Sequence, residues 1–249
     1  NKGKIMTYCC AMRLKDGLVF ISDTRTNAGV DHISVFRKLY TFGIPGERFI
    51  TIHTSGNLAT TQAVIGHLKN QLDLKQEPNL YSVNTMFELA ELVGHTVRRV
   101  IAEVTADQQE QSNYYCSLLV GGQISGEEIQ LYNIYPQGNF ISATSDTPFF
   151  QIGESKYGKP ILDRALSYDT GLADGLRCGL ISFASTLRSN VSVGMPLDAV
   201  IYQKDSLIMP AGKRIYEEDA YFTHISKQWS ETLKQGLQEL PAPTEDYFD

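Results

Sequence analysis

No apolar run in this 249-residue sequence approaches the roughly 18 residues that a membrane span needs. No lysine- or arginine-rich block is present either, and the net charge of −6 argues against nucleic acid as a partner. Cysteine is scarce. Cys9, Cys10, Cys116 and Cys178 show no C-x-x-C spacing and lie in apolar or strand-like runs, which reads as buried free thiols. The five histidines are scattered and form no H-x-x-x-H or His-plus-Cys cluster, so neither a zinc site nor any other cofactor is expected. There is no G-x-x-x-x-G-K-[ST] loop for ATP and no G-x-S-x-G elbow for a serine triad. Residues 1–6 contain no apolar h-region, so no secretory signal is read and a cytoplasmic location is expected. Internal repeats and low-complexity tracts are absent.

With 42% hydrophobic and 20% charged residues, the chain can build one sizeable core or two small ones. The runs 7–14 and 17–23 flank the turn dipeptide Asp16-Gly17 and read as a hairpin. The polar stretch Thr24–Ser34 reads as a loop. A second hairpin over 38–44 and 47–53 turns at Pro45-Gly46. Thr54–Asn57 ends that strand and starts a helix, capped by Ser55 or Asn57. Apolar residues at helical spacing mark helices over 58–74 and 84–104, the second capped by Asn84 or Ser82. Strands follow at 114–120, 128–134, 139–143 and 149–152. Then come helices at 159–166 and 172–187, strands at 199–203 and 214–216, and a helix at 220–238. Residues 241–249 form an acidic tail. Strands arrive in blocks between pairs of helices, which disfavours a doubly wound parallel sheet. The order suits an α+β fold, a four-layer αββα sandwich of two antiparallel sheets with helices outside. No linker divides residues 7–240, which form one domain behind a six-residue leader.

Met6-Thr7-Tyr8 is the chemically suggestive stretch. A threonine that becomes the first residue supplies a hydroxyl nucleophile and a free α-amine, whose reference pKa of about 8 suits a general base. A nearby lysine would favour the neutral amine and the developing alkoxide, and an acid would hold that lysine. Asp23 and Lys38 are the seventeenth and thirty-second residues counted from Thr7. While residues 1–6 are attached, the Thr7 nitrogen is an amide and cannot act as a base. The leader reads equally as an expression remnant, a mis-assigned start or a propeptide.

That spacing, with the strings Thr7-Tyr-Cys-Cys-Ala-Met-Arg13, Phe20-Ile-Ser-Asp-Thr-Arg-Thr-Asn27 and Phe36-Arg-Lys38, resembles the β subunits of proteasome-type peptidases, which are N-terminal-nucleophile hydrolases. The strings are most similar to the bacterial Anbu (ancestral β subunit) branch. The resemblance runs from Met6 to about Leu240 and implies the same αββα sandwich. It implies that Thr7 is the nucleophile and, through its amine, the base. Lys38 would lower the cost of ionisation, Asp23 would position Lys38, and the Gly56 N–H would receive the oxyanion. Gly153-Glu154-Ser155 stands where the family carries a serine near the amine. Either Glu154 or Ser155 faces the site, and Ser155 could equally cap the next helix. Asn190 and Ser192 stand where the family has an aspartate and then a serine, so this chain offers no acid there.

The resemblance further implies no cofactor, a peptide or protein substrate, and self-association into a large ring-like or helical homo-oligomer. It leaves room for an unidentified ATPase partner. Two other functions fit the residues: an amidohydrolase acting on a small amide, and a catalytically silent scaffold of the same fold. A mature chain starting at Cys9 or Cys10 would instead present a thiol.

Overall fold

The computed structural model describes residues 7–27, 33–106 and 111–248. The leader, residues 1–6, lies outside the described residues. The described chain separates into two compact units, one ending at Tyr216 and the other beginning at Glu217.

The first unit is the expected four-layer sandwich. One antiparallel sheet contains β1 (Tyr8–Leu14), β2 (Gly17–Asp23), β10 (Phe149–Gly153), β11 (Leu197–Gln203) and β12 (Lys213–Ile215), in the order β10-β1-β2-β11-β12. The other runs β5-β6-β7-β8-β9, from β5 (Leu39–Ile44), β6 (Arg48–Gly56), β7 (Cys116–Ile124), β8 (Gln130–Ile134) and β9 (Phe140–Ser142). Helices α1 (Leu58–Asp73) and α2 (Met86–Thr105) cover the second sheet. Helices α3 (Lys159–Ala165) and α4 (Leu172–Ser189) lie on the side of the first. Sheets covered on both faces need near-continuous apolar strands. That is why β1 reads Tyr-Cys-Cys-Ala-Met-Arg-Leu and β2 Gly-Leu-Val-Phe-Ile-Ser-Asp, with every residue of β2 buried.

Alternate residues divide between two interfaces. Cys9, Ala11, Phe20 and Tyr202 from one sheet meet Leu39, Phe49 and Leu119 from the other. Phe49 stacks on Tyr202 with ring centroids 4.4 Å apart, a contact that adds about 0.5–1.5 kcal/mol beyond area burial. The opposite faces meet helices. Ile50, Ile52, Leu118 and Val120 pack among Val64, Leu68, Leu89 and Val93, while Tyr8 stacks on Phe183 of α4 at 4.2 Å.

Two local expectations are corrected. The stretch Thr24–Ser34 is not simply a loop: β3 (Arg25–Asn27) pairs with β4 (Ile33–Val35), and residues 28–32 between them lie outside the described residues. This ribbon was hidden because β3 (Arg-Thr-Asn) is wholly polar and the single alternation of β4 (Ile-Ser-Val) is too short to mark a strand. The cap of α2 is Thr85, rather than Asn84 or Ser82. Its side chain accepts the Glu88 N–H at 3.1 Å, and Glu88 accepts the Asn84 N–H at 2.7 Å, a reciprocal capping arrangement. At α1 the cap is Asn57, one of the two expected, which accepts from Thr60.

The second unit holds α5 (Ala220–Glu239), capped by Asp219 on the Phe222 N–H at 2.9 Å, and a short 3-10 turn at Glu245–Tyr247. Among the described residues no helix is long and apolar enough to cross a membrane.

Candidate active site

Thr7 immediately precedes β1, with 2% of its surface exposed. Two neighbouring strands fix it. In the β1–β2 hairpin Cys9 pairs with Ser22, so the next place outward brings Tyr8 to Asp23, and the Tyr8 N–H donates to Asp23 Oδ1 at 3.1 Å. On the other side Tyr8 pairs with Gly153, and the Glu154 N–H donates to the Thr7 carbonyl at 2.6 Å. Gly153 has φ +83°, and a Cβ there would lie 1.9 Å from the Thr7 oxygen. Only glycine lets β10 approach Thr7 this closely.

Lys38 leads into β5 on the other sheet, anchored by the Thr54 N–H to Lys38 carbonyl bond at 2.9 Å. Its side chain is buried. Nζ donates to Asp23 Oδ1 at 2.7 Å and to the Arg25 carbonyl at 2.6 Å. Asp23 Oδ2 accepts the Gly194 N–H at 3.2 Å. Burial pushes the Asp23 carboxyl up to about 6, against the pull of the Lys38 ammonium and the two amide donors. Lys38 and Asp23 form a buried salt bridge. Its side chains are 5% and 0% exposed, so little solvent screens it.

Thr7, Thr26, Lys38, Ser55 and Gly56 line one recess of about 10 Å3. Gly56 ends β6 with φ +114°, where a Cβ would lie 2.4 Å from the Tyr115 carbonyl oxygen. Its backbone conformation and its neighbours both demand glycine at this strand-to-helix junction. The Thr26 hydroxyl is buried and has no hydrogen-bond partner among the described residues, which leaves a polar group available to a ligand.

The remaining expected residues divide. Glu154 is buried, with Oε1 accepting the Lys156 N–H at 2.7 Å and Oε2 accepting Asn190 Nδ2 at 3.0 Å. Asn190 Oδ1 accepts the Ser192 N–H at 2.9 Å. Glu154, Asn190 and Ser192 thus form one chain of contacts that reaches the Thr7 carbonyl. Ser155 is exposed, and its hydroxyl makes no hydrogen bond among the described residues. It does not cap α3 either, since that place belongs to Gly158. Of the pair left open by the sequence, Glu154 is the one turned inward.

Sequence reasoning missed the Arg25 carbonyl and the Tyr8 and Gly194 amides. Backbone groups leave no side-chain signature, and only the register of the hairpin could have pointed to Tyr8. Burial pushes the thiols of Cys9 and Cys10 well up, which keeps them protonated and poor as nucleophiles. Among the described residues no group of three or more His, Cys, Asp or Glu side chains is placed to hold a metal.

The arrangement can therefore hold a lysine charge beside a threonine, with a glycine-bearing turn across the recess. The model of the proteasome subunit family matches residues 6–200. No curated protein matches the chain. Solved structures do. Anbu (ancestral beta-subunit) from Yersinia bercovieri is 53% identical, with 95% of this chain and 99% of that one covered and a TM-score of 0.89. The helical assembly of the Anbu complex from Pseudomonas aeruginosa gives 54% identity, 96% and 99% coverage and a TM-score of 0.91. A Gly-1 mutant of Anbu from Hyphomicrobium sp. strain MC1 gives 45% identity, 96% and 99% coverage and a TM-score of 0.90.

Proposed function

The chain belongs to the proteasome subunit family, among its Anbu (ancestral beta-subunit) proteins, and on that footing we propose that it is a threonine peptidase whose nucleophile is Thr7 at a mature N-terminus. The observation that carries the reading is the buried Lys38–Asp23 pair, tied by Asp23 to the amide that follows Thr7 and lining one recess with it.

With residues 1–6 removed, the Thr7 amine is free. Thr7 Oγ attacks the carbonyl carbon of a peptide bond as the amine accepts its proton. The Lys38 ammonium, held by Asp23 and the Arg25 carbonyl, lowers the cost of the developing negative charge. The Gly56 N–H receives the oxyanion, a donor fixed in place before charge appears there. The amine returns the proton to the leaving nitrogen, an ester to Thr7 remains, and water hydrolyses it by the same steps.

Self-association completes the proposal. A relative from Pseudomonas aeruginosa is solved as a helical assembly. Leu233 and Leu237, four residues apart on α5, are exposed along one side of the helix, and Leu240 just beyond it is exposed as well.

The deciding experiment is intact mass combined with labelling by a threonine-directed electrophile. A chain starting at Thr7 that gains one label, and loses it in Thr7→Ala, is the expected result. A chain starting at Thr7 that refuses the label sinks the nucleophile and favours a silent scaffold.

A further inference from the structure

Charge accounting around Thr7 leaves one group over. Lys38 and Asp23 neutralise each other at 2.7 Å. Glu154 is 4% exposed, and no cation bridges it among the described residues. Its two oxygens are held by a backbone N–H and the neutral amide of Asn190. Buried carboxylates without a cation are costly, and protein sites avoid them unless a positive charge arrives. The chain holds a position where one can arrive. Just past Tyr8–Gly153, the last pair of the ladder, a 2.6 Å bond from the Glu154 N–H to the Thr7 carbonyl sets the two residues side by side.

We propose that Glu154 is the counter-charge of the mature N-terminus: a positioning residue whose carboxylate faces the ammonium of a freed Thr7 and sets how firmly it holds its proton. The inference rests on the reading of Thr7 as that N-terminus. While residues 1–6 are attached, the Thr7 nitrogen is a neutral amide, and among the described residues no cation bridges Glu154. Cleavage supplies one. The charged groups that line or reach the recess are Lys38 and Arg37 from the segment before β5, and Asp23 from β2; nearby, Arg25 of β3 donates to the Val191 carbonyl after α4, and Lys156 follows Glu154 and bonds it through its backbone N–H. The segment after α4 contributes only the uncharged Asn190 and Ser192. Asp23 and Glu154 are the two buried acids bonded to the backbone of Thr7 and Tyr8, and among the described residues lysine bridges only Asp23. Glu154 opposes the lowering of the amine pKa by Lys38 and moves the working range of the base toward alkaline pH.

The test titrates the α-amine itself, in a full chain made to start at Thr7, by pH-dependent acylation of the N-terminus. In Glu154→Gln the midpoint should fall by about one unit or more, as expected for loss of an opposite charge at close range. A merely structural glutamate would leave it unmoved, and an unchanged midpoint in the folded variant overturns the proposal. Should the variant not fold, the unaltered protein decides. The chain starting at Thr7 should then melt above the chain with its leader at neutral pH, and the gap should close in alkaline solution. A gap that does not depend on pH overturns the proposal. Neither readout needs turnover. An inactive chain with the shifted midpoint would defeat the peptidase reading and leave this one standing.

Discussion

At the scale of single residues, two buried ionisable groups make opposite predictions. His53 on β6 is fully buried between the sheets, edge-on to Phe20, and neither ring nitrogen has a partner among the described residues. Burial lowers its pKa to about 3, well below the about 6.5 of an unfolded histidine. The unfolded chain therefore binds a proton that the native chain refuses, and stability is lost as pH falls below about 6.5. At pH 5 the loss is about 2 kcal/mol. Asp23 acts the other way. Its folded value of about 6 exceeds the about 3.9 of an unfolded carboxyl, so its contribution is most favourable below about 4 and declines as pH rises through about 6. Denaturant unfolding of the parent and His53→Leu at pH 7 and pH 5 separates the two. The variant should lose less stability on acidification, by about 2 kcal/mol. Lys38→Met removes the partner of Asp23. It should cost about 3 kcal/mol at pH 7, and less at pH 5 where Asp23 takes a proton, with peptidase activity abolished at both.

Thr7, Asp23 and Lys38 were legible in the sequence because their spacing survives any detail of packing. Glu154 was not. Its neighbour Ser155 is just as polar, and only the left-handed turn at Gly153 determines which of the two points inward. His53 was read as one of several scattered histidines. Its burial without partners depends on a second sheet packing over it, which no local pattern announces.

Among the elements, the junction of β6 and α1 is the sharpest test. Gly56→Ala places a methyl group 2.4 Å from the Tyr115 carbonyl on a backbone already at φ +114°. Something must shift, and the amide proposed to meet the oxyanion shifts with it. We expect hydrolysis to fall by about 100-fold or more, the scale of losing one such donor. Stability should fall by about 1–3 kcal/mol, as for backbone strain of this kind. Initial rates and denaturant melts measure both. By contrast, Thr85→Ala removes only a cap, on a helix distant in sequence from the site. It should cost about 1 kcal/mol in a melt and leave the rate per folded molecule unchanged. Long apolar elements such as α2, β6 and β7 were readable because each must satisfy the core over many residues. The ribbon of β3 and β4 was not, since three residues per strand carry too little pattern to register.

For the whole molecule, the exposed leucines of α5 predict assembly. Light scattering should report a mass several times that of the 27.8 kDa chain, lowered by Leu237→Asp and unaffected by Thr7→Ala. A mass equal to one chain at all concentrations would contradict self-association. The αββα layering itself was accessible from element order, because two blocks of strands separated by helix pairs have few ways to bury both faces.

The clamp on Thr7 has one more consequence. Chain ends ordinarily fray, and a nucleophile at a loose end would spend most of its time out of register with its partners. Here the residue is held through the Thr7 carbonyl and the Tyr8 amide, both downstream of the bond whose cleavage is proposed. Removing the residues ahead of Thr7 takes away none of them. On the proposed reading, a terminus made at Thr7 would keep the anchoring of the strand it leads into, with hydroxyl and amine at one fixed address, so that their effective molarity is set before any substrate arrives.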